Sequence, residues 1–176
     1  MTVDFRLGPY YFQTAYVVRD LAAAEKWFGR ILSVPAWTTM EIVLGEGCYY
    51  RGKPADSSMK LSLGYAGDVQ IELIEPARGA SIYEEFIEKK GYGLHHIAFS
   101  VPDFEEAVKM LTSRGLTAMS SGVLSDGGVK FAYFDCEDAG ASVIEILGFD
   151  AATTEFMEKM KVDARESIAA RAAARS

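Results

Sequence analysis

The sequence predicts an α+β fold built from two tandem βαβββ modules, on three observations. The first is an internal echo. When residues 93–104 are laid on an N-terminal stretch, His96 falls on Gln13, Ala98 on Ala15, Phe99 on Tyr16, Val101 on Val18 and Asp103 on Asp20, an offset of 83 residues. The second is that each copy leads into an apolar stripe at helical spacing and then three strand-like runs. The third is that the last strand of each copy carries a carboxylate inside it, Glu72 in the first and Glu145 in the second.

Tyr10 to Val18 is rich in Tyr, Val and Phe and reads as a strand. Asp20 is placed to accept from the free amides of a helix start. Leu21, Ala24, Phe28 and Ile31 form one helical stripe, and Pro35 ends it. Met40 to Tyr50 reads as strand with a bend at Gly45-Glu46-Gly47, Arg51 to Ser57 as a polar loop. Met59 to Tyr65 and Val69 to Glu75 read as strands, with a turn at Gly67-Asp68 between them and Pro76 after them. In the connector, Ser81 and Glu84 have capping-box spacing, so a short helix is expected over 81–89, ended by Gly91. Arg78 is a candidate for an anionic ligand, though it reads more simply as a solvated loop charge.

The second half repeats the order. Leu94 to Val101 is strand, and Asp103 with Glu106 starts a helix whose stripe is Phe104, Ala107, Val108 and Leu111, stopped at Gly115. Thr117 to Leu124 and Val129 to Phe134 are strands around a hairpin turn at Asp126-Gly127-Gly128. Glu137-Asp138-Ala139-Gly140 turns the chain into a last strand, Ala141 to Leu147. The tail is Ala-rich, and Phe156, Met157 and Met160 can form one helical face, so a helix that docks on the domain or a partner and then frays is expected. The expected divisions are 1–76, first module; 77–93, connector; 94–149, second module; and 150–176, helical tail.

Composition narrows the function. The chain has 176 residues, 49% of them hydrophobic, and a net charge of −7, so it can bury a substantial core while repelling phosphate-rich partners. No nucleic-acid partner and no membrane partner are expected, because there is no basic stripe and no apolar run of spanning length. Met1 to Pro9 lacks the basic flank and apolar run of a signal peptide. Cys48 and Cys136 share no short-range motif, which points to a reduced, cytoplasmic setting.

The polar residues inside the strands carry the chemistry. Alternation puts Val143, Glu145 and Leu147 on one face and Ile144 and Ile146 on the other, so Glu145 interrupts an apolar face. An unpaired carboxylate there is costly unless it is protonated, hydrogen-bonded or bound to a cation. Glu72 shares its face with Gln70 and Ile74. In the first strands, His96 and Ala98 face away from the helix, as do Gln13 and Ala15. Each copy thus offers a polar residue followed two places later by a small one. Taken singly, each reads as a hydrogen-bonded core or edge residue. Taken as two corresponding pairs, Gln13 with Glu72 and His96 with Glu145 form a mixed N/O set suited to Zn, Ni, Co, Mn or Fe. His95 falls on the helix side and reads as a packed neighbour of His96.

These residues resemble the vicinal oxygen chelate superfamily, which includes glyoxalase I, methylmalonyl-CoA epimerase, extradiol dioxygenases and bleomycin-resistance proteins. The resemblance covers about residues 10–148. The stretch from Ile71-Glu72-Leu73-Ile74-Glu75-Pro76 to His95-His96-Ile97-Ala98 is particularly like the epimerases. It implies a curved, mostly antiparallel sheet groove with helices on the outside, a metal set of Gln13, Glu72, His96 and Glu145, and pairing into a homodimer. A Gln, Glu, His, Glu set is similar to that of some glyoxalase I enzymes, whereas the epimerases usually have His where this chain has Gln13. The His-Pro-Lys stretch often seen late in the epimerases is replaced here by Val129-Lys130-Phe131-Ala132-Tyr133-Phe134.

The expected activity is that of a divalent-metal-dependent isomerase, epimerase or lyase, with Glu72 and Glu145 as candidate catalytic bases. It would act on a small molecule with a carbonyl and an adjacent oxygen, forming a metal-bound enediolate or enolate. The alternative is a non-catalytic small-molecule-binding protein with a groove lined by Tyr10, Tyr11, Trp37, Tyr49, Tyr50 and Phe131. An extradiol-type Fe(II) dioxygenase ranks below both, because that chemistry uses two histidines and one carboxylate. No further cofactor-binding residues are expected beyond the metal set.

Overall fold

Asp20, Ser81, Asp103 and Asp150 each start a helix, and each side chain accepts from the backbone amide three residues on, at 2.9, 3.2, 2.9 and 2.7 Å. These caps satisfy amides that the helix itself leaves open. The helices are α1 (Leu21–Ile31), α2 (Ile82–Lys90), α3 (Phe104–Ser113) and α4 (Ala151–Ala173). The computed structural model of the chain describes residues 6–137 and 143–174.

The strands form one sheet. They are β1 (Tyr11–Val17), β2 (Thr38–Leu44), β3 (Tyr49–Tyr50), β4 (Lys53–Pro54), β5 (Ser57–Ala66), β6 (Val69–Arg78), β7 (Gly93–Ser100), β8 (Ala118–Leu124), β9 (Val129–Phe134) and β10 (Val143–Phe149). Their order across the sheet is β2-β5-β6-β1-β7-β10-β9-β8-β3-β4. The β1–β6 and β7–β10 pairs are parallel, and the other pairings are antiparallel. The predicted α+β architecture of tandem βαβββ modules in a mostly antiparallel sheet is therefore present. The sheet is strongly curled. Met40 and Ile42 of β2 line the same groove as Leu124 of β8, although those strands lie towards opposite ends of the order.

Alternation assigns the two faces. On the convex side, Phe28 of α1 packs with Tyr16, Ile71 and Leu73 of the sheet. The matching helix of the second half, α3, covers Phe99, Ala132, Phe134 and Ile146. Leu73, Phe134 and Ile146 are wholly buried, and each such side chain contributes about 1.5–3 kcal/mol relative to exposure. The concave side carries the third cluster, with Ala15, Leu61, Leu63, Ala98, Phe131 and Leu147 among its members.

Several local expectations are corrected. The strand expected over 40–50 ends at Leu44, and β3 leaves it to pair with β8 of the second half, Tyr49 opposite Ser121. That crossing brings Cys48 against Gly122, where a Cβ would lie 2.7 Å from the Cys48 Sγ, so only glycine fits. The expected polar loop after Arg51 contains β4. The expected turn at Asp126-Gly127-Gly128 is made by a short 3-10 helix, Ser125–Gly127. Of the expected turn and strand near 140, residues 138–142 lie outside the described residues, and the strand is Val143–Phe149.

The tail does not fray over its described length. Unlike the outer helices, α4 packs on the groove side, against β5 and β10. Met157 and Met160 join the concave cluster, Arg165 pairs with Asp68, and Arg171 donates to the Pro35 carbonyl. Among the described residues, no helix is long and apolar enough to cross a membrane.

Candidate metal centre

The four polar residues singled out on the strands lie on neighbours in the middle of the sheet, in the order β6-β1-β7-β10. Register explains why they converge. Ala15 is opposite Glu72 on one side and His96 on the other. Ala98 is opposite Gln13 on one side and Glu145 on the other. Both alanines are 0% exposed. A methyl group at each crossing leaves the space above it to the polar side chains beside it.

The geometry is tight. The His96 Nε2 lies 3.3 Å from the Glu72 Oε2 and 3.1 Å from the Glu145 Oε2. One ligand atom from each of Glu72, His96 and Glu145 lies within 4.8 Å of the others, a cluster that could hold a metal ion. The close approaches of His96 lack hydrogen-bond alignment, since Glu72 Oε2 and His96 Nε2 are both without a hydrogen-bond partner. Gln13 Oε1 is a third such buried atom. Its orientation is fixed from behind. Gln70 donates through Nε2 to the Met157 sulfur, which can only accept, at 3.3 Å and to the Tyr65 hydroxyl at 3.1 Å, and accepts through Oε1 from Gln13 Nε2 at 2.8 Å. Gln13 therefore turns its oxygen, not its nitrogen, to the open side. Leaving buried polar atoms unsatisfied costs about 1–3 kcal/mol each, so three at one place call for a partner.

The electrostatics agree. Burial pushes the Glu72 carboxyl up, and the nearby Glu145 adds to this while His96 opposes it. Burial alone would depress His96, but Glu145 and then Glu72 outweigh it and raise its pKa to about 9. Without a metal, the two carboxylates thus favour the protonated imidazole. A divalent cation would replace that proton, and the oxygen, nitrogen and carboxylate atoms present suit one. Tyr133, hydrogen-bonded to Tyr83 at 2.9 Å, has its phenol beside Glu145, and burial holds both phenols well above their ordinary range.

His95 departs from the expectation. Ala15 pairs with His96 but Tyr16 pairs with Leu94, so His95 is the extra residue of a β-bulge. The bulge breaks alternation and sets His95 beside His96, with the Nδ1 atoms 2.8 Å apart. It packs against Tyr83 and Phe86, each 5.0 Å away, rather than under a convex-side helix. Burial lowers its pKa to about 2, so it stays neutral. With His96 carrying its lone pair on Nε2, Nδ1–H donates to His95 Nδ1, which is how an outer partner sets a tautomer.

Other expectations resolve simply. Arg78 is exposed and pairs with Asp56 at 2.7 Å. Of the aromatic side chains proposed to line the groove, Phe131 does so. Trp37 packs with α1, Tyr10 packs with the α3 cluster, and Tyr11 is exposed against Phe99. Tyr49 is exposed, and Tyr50 donates to Glu85. Sequence reasoning missed Tyr133, and it placed Gln70 on the face of Glu72 and Met157 on a helical face without giving either a part in the site. Tyr133 sits two places after Phe131, so period 2 could have found it. Met157 is visible only once α4 is placed.

Comparisons with known proteins agree with this fold. A family model described as the Glyoxalase/Bleomycin resistance protein/Dioxygenase superfamily matches residues 12–134. Uncharacterized protein YqjC of Bacillus subtilis (strain 168) is 36% identical over 74 residues, 42% of this chain and 53% of that protein, so the chain spans about half the length of the curated relative it matches. Methylmalonyl-CoA epimerase from Mycobacterium tuberculosis superposes with a TM-score of 0.64 at 19% identity, over 88% of this chain and 97% of that one. The hypothetical protein BH1468 from Bacillus halodurans C-125 gives 0.62 at 21% identity, over 80% and 94%. A Streptomyces coelicolor methylmalonyl-CoA epimerase in complex with 2-nitronate-propionyl-CoA gives 0.62 at 17%, over 81% and 98%. These structural likenesses are likenesses of fold. The family match spans the first copy of the repeat and most of the second, and the chain belongs to the glyoxalase/bleomycin resistance protein/dioxygenase superfamily.

Proposed function

We propose that this protein is a divalent-metal-dependent isomerase, epimerase or lyase acting on a carbonyl compound with an adjacent oxygen. The observation that carries the reading is the convergence of Glu72, His96 and Glu145, with Gln13 held so that its oxygen faces the same groove. Gln13 Oε1, His96 Nε2 and one oxygen each of Glu72 and Glu145 would hold the ion. When bound, it supplies Lewis-acid stabilisation of the negative charge that develops on the substrate oxygen.

The chain's own groups do the rest. Glu72 and Glu145 come from corresponding strands of the two halves and flank the site from opposite sides. One takes the proton from the carbon next to the carbonyl, and it or its counterpart returns it. Without a metal, burial holds the Glu72 carboxyl above the usual carboxylate range. Tyr133 lies beside Glu145. His95 does not add a second imidazole to the set, because its Nδ1 is turned to His96 and its ring lies among Tyr83, Phe86 and Tyr133. That disfavours the extradiol reading. The epimerase neighbours support chemistry at a carbon beside a carbonyl. The apolar groove keeps a binding-only protein as the second reading.

Titration calorimetry with Zn, Mn, Co and Ni tests the proposal. The wild type should take up one ion per chain, and Glu145→Gln should weaken uptake by more than the roughly 10–100-fold that losing an outer partner costs. A folded wild type with no affinity for any of these ions overturns it. Exchange of a substrate C–H with solvent separates an enzyme from a binding protein.

A further inference from the structure

We infer that the groove selects an uncharged substrate about one ring in size, an aryl or branched-alkyl carbonyl compound, and rejects anionic ones. This rests on the proposed isomerase reading and names its substrate class.

The groove offers about 140 Å3 and opens on one side to solvent. A cavity of about 150 Å3 holds a benzene ring, so the space fits one ring or a short branched chain. Its walls are apolar: Leu61 and Leu63 on one side, Phe131 and Leu147 opposite, with Met157 of α4 above. The lining carboxylates Glu72 and Glu145 are joined by no lysine or arginine among the described residues. Lys130 of β9 alternates to the other face and pairs with Glu105 at 3.0 Å. Arg165 of α4 is engaged by Asp68.

Several neutral donors are also engaged within the site. Gln13 donates to Gln70, Gln70 donates to Tyr65, and Tyr83 and Tyr133 bond each other. An anionic head group would therefore meet two carboxylates and no lysine or arginine. One dication at most neutralises that pair, so a second anion leaves a net negative charge in an apolar groove. An uncharged ligand instead gains roughly fourfold in affinity per methylene buried. Met157 suits the roof, because an unbranched thioether adapts to differently shaped apolar groups, and Gln70 Nε2 lies 3.3 Å from its sulfur.

The test uses three probes of the same oxygen pattern: 2-hydroxyacetophenone, its anionic counterpart mandelate, and the short hydroxyacetone. Binding to the full chain is measured by calorimetry and by NMR line broadening, with and without one equivalent of Zn2+. 2-Hydroxyacetophenone should bind at least tenfold tighter than either of the others in both conditions. Mandelate binding as tightly as the ketone, or hydroxyacetone matching it, overturns the inference. Met157→Lys should shift the preference towards mandelate by about tenfold, and Met157→Leu should leave it unchanged; a Met157→Lys protein with wild-type preference counts against it. A protein that prefers the aryl ketone yet takes up no divalent ion supports this inference and overturns the metal reading, so the two failures are distinct.

Discussion

Raising the pH should destabilise the metal-free protein, and a divalent ion should reverse that loss. The His96 pKa is raised from 6.5 to about 9 in the folded chain. A raised folded pKa means that the folded state holds its proton more tightly than the unfolded one. The stability it contributes is fully present below pH 6.5 and is lost as pH rises through 9. At about 1.4 kcal/mol per pH unit, the full swing is about 3 kcal/mol. The Glu72 carboxyl is also raised, so its contribution has the same sign and fades from about pH 4.5 upward. For a chain of this size, 3 kcal/mol corresponds to about 6–12 °C in melting temperature. The assay is thermal and urea unfolding between pH 6 and 9.5 in the presence of a chelator, repeated with Zn2+. The ion displaces the proton from His96, so its stabilisation should grow with pH and reach about 2.7 kcal/mol at a hundredfold excess over the dissociation constant. His96→Gln should flatten both curves. A metal-free wild type whose stability does not fall from pH 6.5 to 9.5, or a His96→Gln variant with the wild-type slope, would refute the reasoning.

Particular contacts lead to further outcomes. Ala98→Leu would fill the gap between Gln13 and Glu145, so calorimetry should show divalent-ion binding lost while circular dichroism shows the strands retained. Gly64→Ala places a Cβ 2.5 Å from Val34 Cγ1 and 2.9 Å from the Ala36 carbonyl; urea unfolding should show a loss of about 1–3 kcal/mol. Glu85 is held at about 2 by Arg51 first, against burial, with help from Lys89 and Tyr50. Its folded pKa is depressed, so its stability is present above about pH 4.5 and lost as pH falls towards 2. Partial solvent screening limits this to about 1 kcal/mol. Glu85→Gln should therefore narrow the difference between melting at pH 6 and at pH 3.

Much of the site was legible because it is made of regular strands. Period 2 placed Gln13, Glu72, His96 and Glu145 on the concave face, and the repeat placed them on corresponding strands. Aspartates before apolar stripes marked the helix starts. The errors have physical causes. His95 was assigned to the wrong face because one bulged residue inverts alternation, and nothing local in Leu94-His95-His96 announces a bulge. The crossing of β3 to β8 depends on a tertiary approach at Gly122 that short-range pattern does not encode. Trp37 and Tyr10 were placed in the groove by residue type alone, which says nothing of face. The position of α4 over the groove rests on long-range contacts such as Arg165 with Asp68, so Met157 could not be read as a lining residue from its helical stripe.

The central claim is that Gln13, Glu72, His96 and Glu145 hold one divalent ion. Crystals grown with Mn2+ or Zn2+ and measured on both sides of the metal's absorption edge test it most directly. A single anomalous peak among these four side chains is expected, lost in Glu145→Gln crystals grown the same way. Well-ordered density for the four residues with no peak between them, or a peak only elsewhere on the chain, would contradict it.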